Sequence, residues 1–455
     1  MRIAIAGASG FVGRALAAAL VRRHDDVIGL SRRRLDLPGV EGHELDVADE
    51  GALRKALTRC EAGFYLVHSL GTGDFRAHDR RLAEGFGRAA AAAGVQRIVY
   101  LGGLGQDPES EHLASRQEVG TALGSGGVPV VELRAAVVLG AGSISFEMLR
   151  YLTERLPLMI CPRWVRTAIQ PIALTDIIKY LVGALNVDPG VYEVGGSQIT
   201  TYREMIAAYA TARGLRRRLI LDVPYLTPRL SSYWLDLVTP VDRRVSHTLV
   251  ESLVTDVVVR DRSRTDEAFA IEPIGLLDAL SAALDDQARA LDTEVLNRKP
   301  GLRDGIYTMS VAVLTSSGTA ARAEADFDRI GGSYRWYGLP VLWRVRAALG
   351  RLVGERLRLR VPAAIVLGAP VDWWVIARRD PGTLVLRSDK WFPGEGWLAY
   401  RHDDHEFVQI GAFRPRGVPG FFYWKLLRPI HLLVFRSMAH HRTTLARRAQ
   451  RPISD

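Results

Sequence analysis

Cysteine is nearly absent. Cys60 and Cys161 are the 2 in a chain of 455 residues, which gives neither a disulfide framework nor a cysteine-based metal site and fits a reducing compartment. Lysine is scarce too, since nearly all of the 60 basic residues are arginine. Set against 50 acidic residues they leave a net charge of +10, yet they are spread along the whole chain. A nucleic-acid surface needs a clustered basic stripe interleaved with aromatics, and the two "RRR" runs, at 32–34 and 216–218, are short and isolated. The second reads as a solvated surface. No run of about 18 uncharged apolar residues exists, so a spanning helix is not expected. The nearest candidate, "FFYWKLLRPIHLLVF", carries Lys425, Arg428 and a proline. A strand pattern begins at the first residues with no signal-peptide anatomy. The expectation is a cytoplasmic protein that binds no nucleic acid and no metal.

What is present is ample material for two cores, with 48% apolar residues. Over the first 140 residues, apolar runs at 2–7, 27–31, 63–67, 97–101 and 129–139 alternate with helical patterns such as Val12, Leu16 and Leu20. Strands alternating with helices imply right-handed crossovers and a parallel sheet covered on both faces. Such sheets bind ligands at the carboxyl ends of their strands. From 141 to 290 the pattern loosens into helices and short extended pieces, read as the rest of the sheet plus a substrate lobe. The polar stretch 285–305 then suggests a boundary near 295–305, with domains at 1–295 and 300–450. Seven of the nine tryptophans follow residue 330. There, "RWYGLPVLWRVRAALGRLVG" reads as a helix. "VDWWVIARRDPGTLVLRSDKWF" and "WLAYRHDDHEFVQIGAF" read as antiparallel strands with turns at "DPG" and "HDDH". A closing helix is expected to start near Pro429 and to bury Ile430, Leu433, Val434, Met438 and Leu445. Packing of that helix on its own sheet is expected ahead of docking on a membrane surface through Arg436 and its neighbours.

The stretch "GASGFVG", 7–13, sits between a strand pattern and a helix pattern. Gly7 allows a sharp turn, Gly10 lets backbone approach a pyrophosphate, and Gly13 lets the helix pack against the sheet. The anion would lie at the helix N-terminus, with Ser9, Phe11 and Val12 lining the same turn. At the end of the second strand, where an NAD site places a carboxylate, the chain reads Ser31, Arg32, Arg33, Arg34. Arginine forks onto a 2′-phosphate, so NADP(H) is the expected cofactor, with a merely solvated arginine cluster as the rival. Asp46 and Val47 are expected beside the adenine. Val67, His68 and Ser69 would pass behind the cofactor, and Ala135 and Val138 are further candidate cofactor-binding residues.

With these residues in place, the first 290 positions resemble the atypical, NmrA-like branch of the extended short-chain dehydrogenase/reductases. The fingerprint, "LVHS", "RIVYLGGLG", "VPVVELRAAVVLG" and "RWVRTAIQPIALTDI" fall in the family's order, and "TPRLSSYW", 227–234, marks a bacterial subgroup. The resemblance implies a Rossmann-type α/β domain followed by an α+β helix-grip (START-like) domain. It also implies a Ser and a Tyr-x-x-x-Lys, in which tyrosine delivers the proton. Here Leu101 to Gly105 contains no hydroxyl, and "HLASR" puts His112 at the tyrosine position and Arg116 at the lysine position. Arg116 is then a candidate to hold the ribose. His112 is either a proton donor, since imidazole titrates near neutrality, or a surface residue at a helix start. The function expected is NADPH-dependent reduction of a hydrophobic molecule bearing a carbonyl, enone or imine. The alternative is an NADP(H)-binding sensor or accessory protein without turnover. "HDDH", 402–405, has metal-ligand residue types but reads as a solvated turn, because adjacent side chains on a tip do not converge on one ion. His440 and His441 diverge on a helix for the same reason. Trp336, Trp343, Trp373, Trp374, Trp391 and Trp397 either line a cavity or pack a core.

Overall fold

The computed structural model describes residues 1–68, 75–105, 111–161, 163–223, 255–303, 305–314, 327, 366–371, 374–388, 393–403 and 405–448. The chain divides into two compact units, Met1–Asp285 and Asp286–Asp455.

The first unit is built on a sheet of seven parallel strands in the order β11-β6-β5-β4-β1-β2-β3. These are β1 (Arg2–Ala6), β2 (Asp26–Ser31), β3 (Val40–Glu44), β4 (Ala62–Tyr65), β5 (Arg97–Gly103), β6 (Val130–Ala135) and β11 (Gly190–Val194). The order reverses between β1 and β4, the switch point at which open α/β sheets leave a crevice. Helices α1 (Phe11–Arg22) and α6 (Leu174–Gly183) cover one face, and α2 (Glu50–Ala56), α3 (Phe75–Ala93) and α4 (Glu111–Leu123) the other. Alternation along β1 shows why both faces are apolar. Ile3 and Ile5 join Leu16, Leu20 and Leu181 in one core, whereas Ala4 and Ala6 join Leu53, Phe86 and Leu123 in the second. Edge strand β3, "VEGHE", is mostly exposed and so carries no apolar run to mark it.

The single apolar run expected at 129–139 is broken in two. β6 stays in the main sheet, while β7 (Val138–Leu139) leaves it to pair with β10 (Ile172–Ala173). Two more short pairs complete the lobe: β8 (Leu158–Cys161) with β13 (Leu219–Asp222), and β9 (Ala168–Ile169) with β12 (Thr200–Thr201). Helices α5 (Ile144–Arg155) and α7 (Tyr202–Ala212) pack here around Phe146, Met205 and Tyr209. A capping box between Thr201 and Glu204 starts α7.

The helix Leu276–Glu294 carries the chain through the polar stretch into the second unit. That unit is a seven-stranded antiparallel sheet in the order β14-β15-β20-β19-β18-β17-β16. The strands are β14 (Gly301–Arg303), β15 (Ile306–Leu314), β16 (Pro370–Val371), β17 (Trp374–Asp380), β18 (Thr383–Ser388), β19 (Gly394–His402) and β20 (Glu406–Pro415). "DPG" turns β17 into β18 with Gly382 at φ +68°. The "HDDH" stretch turns β19 into β20, and Asp403 Oδ1 accepts from the backbone of His405 and Glu406 at 2.9 and 2.8 Å; Asp404 lies outside the described residues. Trp397 is fully buried, and its indole N–H donates to Asp292 at 2.8 Å, as a core tryptophan requires. Trp336, Trp343, Trp373 and Trp391 lie outside the described residues, as do "RWYGLPVLWRVRAALGRLVG", "TPRLSSYW" and the side chains of His440 and His441.

The last helix differs from expectation in two respects. It runs over Gly417–Arg448, so Pro429 stands inside it rather than at its start. A proline there costs one backbone hydrogen bond, which packing of the helix on β15 and β20 offsets. Of its expected buried face, Val434 and Met438 are buried, but Ile430 and Leu433 are exposed at 47% and 58%; Leu445 lies outside the residues whose side chains are described. Among the described residues no helix is long and apolar enough to cross a membrane.

Candidate functional site

The turn after β1 is built by its glycines. Gly7 has φ +87°, and a Cβ on it would lie 2.9 Å from the Leu66 carbonyl oxygen, so only glycine satisfies both the conformation and the approach to β4. Gly10 N–H donates to Gly7 O at 2.9 Å and caps α1 without any side-chain bond. A Cβ on Gly13 would collide with that same Gly7 carbonyl. The first turn of α1 holds no acidic residue. Free N–H groups and the helix dipole therefore face the turn uncompensated, the electrostatics that suit an anion.

This turn opens one end of a cavity of about 540 Å³. Gly7, Gly10, Phe11, Val12 and Gly13 line it from β1 and α1, Val67 and His68 from the end of β4, and Ala135 and Val138 from β6 and β7. Arg116, on α4, completes this end. Its Nη2 donates to the Leu101 carbonyl at 2.9 Å, and its buried Nε has no partner among the described residues. The Tyr100 hydroxyl in turn donates to the Arg116 carbonyl at 2.9 Å, fixing the helix at this point. Burial pushes the Tyr100 phenol up to about 12, with the Arg116 charge opposing.

Other expected residues lie elsewhere. Ser9 and Ser31 are joined hydroxyl to hydroxyl at 2.9 Å, tying the turn to the end of β2, but neither lines the cavity. Arg32 and Arg33 follow β2, exposed and without an ion pair among the described residues. Asp46 spends its carboxylate on a local turn, accepting from Ala48 N–H at 3.0 Å. Val47 is a core residue, 8% exposed, packed with Leu53 and Leu57 rather than lining the cavity. Ser69 lies outside the described residues, and so does the side chain of His112, whose backbone is in the first turn of α4.

The missing hydroxyl of the 101–105 segment has a physical reason. A Cβ on Gly102 would sit 2.9 Å from Oε1 of Glu132, and one on Gly120 would collide with the same carboxylate. Glu132 is buried between β5 and α4 and paired with Arg134 at 2.8 Å. Burial raises its pKa, and the hydrogen bond and charge of Arg134, then the charge of Arg116, oppose the rise. A buried carboxylate thus occupies the space a serine side chain at 102 would need.

The far end of the cavity was not legible in the chain. Ile144, Met148, Leu149 and Leu152 present one face of α5, and Tyr202, Met205 and Ile206 one face of α7. Their helical spacing marks an apolar face, but nothing in it distinguishes a cavity wall from a core. Ser143 lines this end with its hydroxyl donated to Val138 O at 2.9 Å. Burial raises the Tyr202 phenol well above its ordinary value, so it is a neutral hydroxyl. Among the described lining residues Arg116 is the only Arg, Lys, Asp or Glu, and His68, Ser143, Ser145 and Tyr202 are the other polar side chains.

Residues 7–125 match the protein family described as NAD(P)H-binding, and residues 305–438 match a family described as a protein of unknown function (DUF2867). Among curated proteins, uncharacterized proteins of Mycobacterium tuberculosis and Mycobacterium bovis are each 25% identical over 210 residues, 46% of this chain. The match spans 23% of the length of those relatives. Among solved structures, WbmG of Bordetella bronchiseptica, in complex with NAD and UDP, is similar with a TM-score of 0.51 and 16% identity, covering 64% of this chain and 96% of that one. UDP-glucose 4-epimerase of Thermotoga maritima, with UDP-glucose, gives 0.50 and 14% identity, covering 64% and 100%. At such identities the likeness is one of fold.

Proposed function

We propose that the protein is an NADPH-dependent reductase of an apolar small molecule bearing a carbonyl, an imine or a conjugated enone. The observation that carries this reading is a cavity with two unlike ends. One end is a glycine turn at a helix N-terminus, and the other is aliphatic. The glycine turn would hold the pyrophosphate, and Arg32 with Arg33 the 2′-phosphate, since both guanidiniums are unpaired among the described residues. When bound, the cofactor supplies a hydride. Arg116 would hold the ribose and offer its free Nε to negative charge developing on the acceptor. The α5 and α7 wall excludes water and positions the acceptor, which supplies most of the effect when the acceptor is already activated. His112 is the proposed proton donor.

The same wall is unsuited to the sugar nucleotides that the solved structures carry. The wall offers few polar side chains to the hydroxyls of a sugar, namely His68, Arg116, Ser143, Ser145 and Tyr202, and each hydroxyl buried without a partner costs about 1–3 kcal/mol. On this reading residues 1–295 are an NmrA-like short-chain dehydrogenase/reductase and residues 300–450 a helix-grip domain. A second reading, a cofactor-binding sensor without turnover, is favoured by Gly102-Gly103-Leu104, where the hydroxyl of an ordinary member is missing.

The test is direct. NADPH and NADH are titrated by nicotinamide fluorescence, and oxidation of the tighter one is followed over a panel of apolar ketones, enones and imines. Tight NADPH binding with consumption is expected. Tight binding with none across the panel supports the sensor, and binding of neither cofactor removes both readings.

A further inference from the structure

The final helix, Gly417–Arg448, makes all of its described packing contacts with one side. Trp424 stacks on Phe413 with centroids 5.2 Å apart and on Tyr307 at 5.8 Å. Val434, Met438 and Ala439 are buried, and Gln409 Nε2 donates to the Met438 sulfur at 3.9 Å. Away from this side lies a second apolar stripe on which none of the described residues packs. Phe422, Leu426, Ile430 and Leu433 are 64%, 78%, 47% and 58% exposed. Their spacing of four, four and three residues puts them along one line of the helix. Together they expose on the order of 500 Å² of apolar surface, at the upper end of what a soluble monomer shows and a mark of an interaction site. Averaged over its length the helix is not one-sided, because apolar residues occupy both the sheet side and this stripe.

The charge beside the stripe says what covers it. From Phe407 to Ser454 the chain has no Asp or Glu. The helix itself carries Lys425, Arg428, Arg436, Arg442, Arg447 and Arg448. Lys425 and Arg436 are exposed and flank the stripe, with Lys425 Nζ 4.6 Å from the Phe421 ring centre. A second copy of the chain docking by this face would bring two cationic helices together with no counter-charge on either. An anionic bilayer meets both features, because it accepts aliphatic and aromatic side chains below its headgroups and attracts the cations above them.

We propose that this stripe docks the protein on the surface of a bilayer containing anionic lipid, with Phe422, Leu426, Ile430 and Leu433 entering the acyl boundary and Lys425 and Arg436 at the headgroups. The helix lies in the interface and does not span it. The inference stands apart from the cofactor site and does not depend on turnover.

Flotation of the full chain with vesicles of phosphatidylcholine alone, or with about one-third phosphatidylserine, tests it. Wild type should float with the anionic vesicles at least about tenfold better than with the neutral ones, and less so as salt is raised. The double variant Leu426→Glu/Leu433→Glu should lose that binding while keeping its thermal midpoint and its NADPH titration, since both positions are exposed. No flotation with anionic vesicles, or equal flotation of wild type and variant, overturns the proposal. So does sedimentation showing a dimer that the double variant dissolves, because the stripe is then covered by a second copy.

Discussion

The two units carry seven-stranded sheets of opposite kind, and the difference decides where chemistry can gather. In the parallel sheet every strand ends at the same edge, so the turn after β1, the end of β4, and the passage from β6 to β7 meet around one cavity. In the antiparallel sheet strand ends alternate between edges, and only its faces are continuous. Among the described residues its faces carry large packed side chains. Trp397, Tyr400 and Phe407 are all but fully buried, and Asp292 accepts from Trp397 at 2.8 Å and from Arg387 at 2.6 Å. Parallel topology concentrates backbone dipoles at one edge, whereas antiparallel topology spends its side chains on packing.

The contrast can be broken most severely at the glycine turn. Gly13→Val drives a side chain into the Gly7 carbonyl and pushes α1 off the turn. NADPH affinity should fall by at least about a hundredfold, a loss of about 2.7 kcal/mol, while circular dichroism shows the fold retained. Affinity unchanged by this variant would mean the cofactor does not use the turn.

Acid should act on the other sheet. His431 is packed among Trp424, Tyr423 and Phe435, and burial lowers its pKa from 6.5 to about 4. The unfolded chain therefore binds this proton first as pH falls. The stabilisation is complete above pH 6.5 and is lost progressively down to pH 4, by as much as roughly 3 kcal/mol. Denaturation of wild type and His431→Phe between pH 7 and pH 4 checks this, because the variant should show a shallower decline.

Arg32→Ala should then sharpen the cofactor assignment. Removing one charge-assisted bond to the 2′-phosphate costs about 1.5–3 kcal/mol, so NADPH binding weakens tenfold or more with NADH unaffected. Equal losses for both cofactors would remove the phosphate contact. Smallest is Met148→Trp, which fills the aliphatic end. Turnover per substrate should fall roughly tenfold, about 1.4 kcal/mol, with NADPH affinity unchanged. His112→Phe tests the proton donor separately: turnover and its pH dependence should both change, and neither changing would remove that role.

Much of the first unit was legible because local pattern and tertiary role coincide in it. The runs holding β1, β2, β4 and β5 are apolar because both faces of a parallel sheet are buried, and Gly7, Gly10 and Gly13 recur because backbone must approach backbone. Edge strand β3 escaped that signal, being half solvated. Val47 packs with Leu53 and Leu57 in the core, a placement that spacing along the chain does not distinguish from one beside a ligand. Pro429 looked like a helix start since a first turn tolerates proline best, and only contact with β15 and β20 shows the helix running through it.

Sequence by itself marked the alternation of strands and helices, the turn at 7–13 and the arginine run after the second strand, all of which depend on neighbours within a few residues. The tertiary structure alone decided that α5 and α7, nearly 50 residues apart, face each other across a cavity, and that Glu132 fills the space beside Gly102. It also decided that Ile430 and Leu433 turn away from the sheet. Each of these depends on what lies on the other side of the residue, and side-chain spacing along a chain carries no record of that.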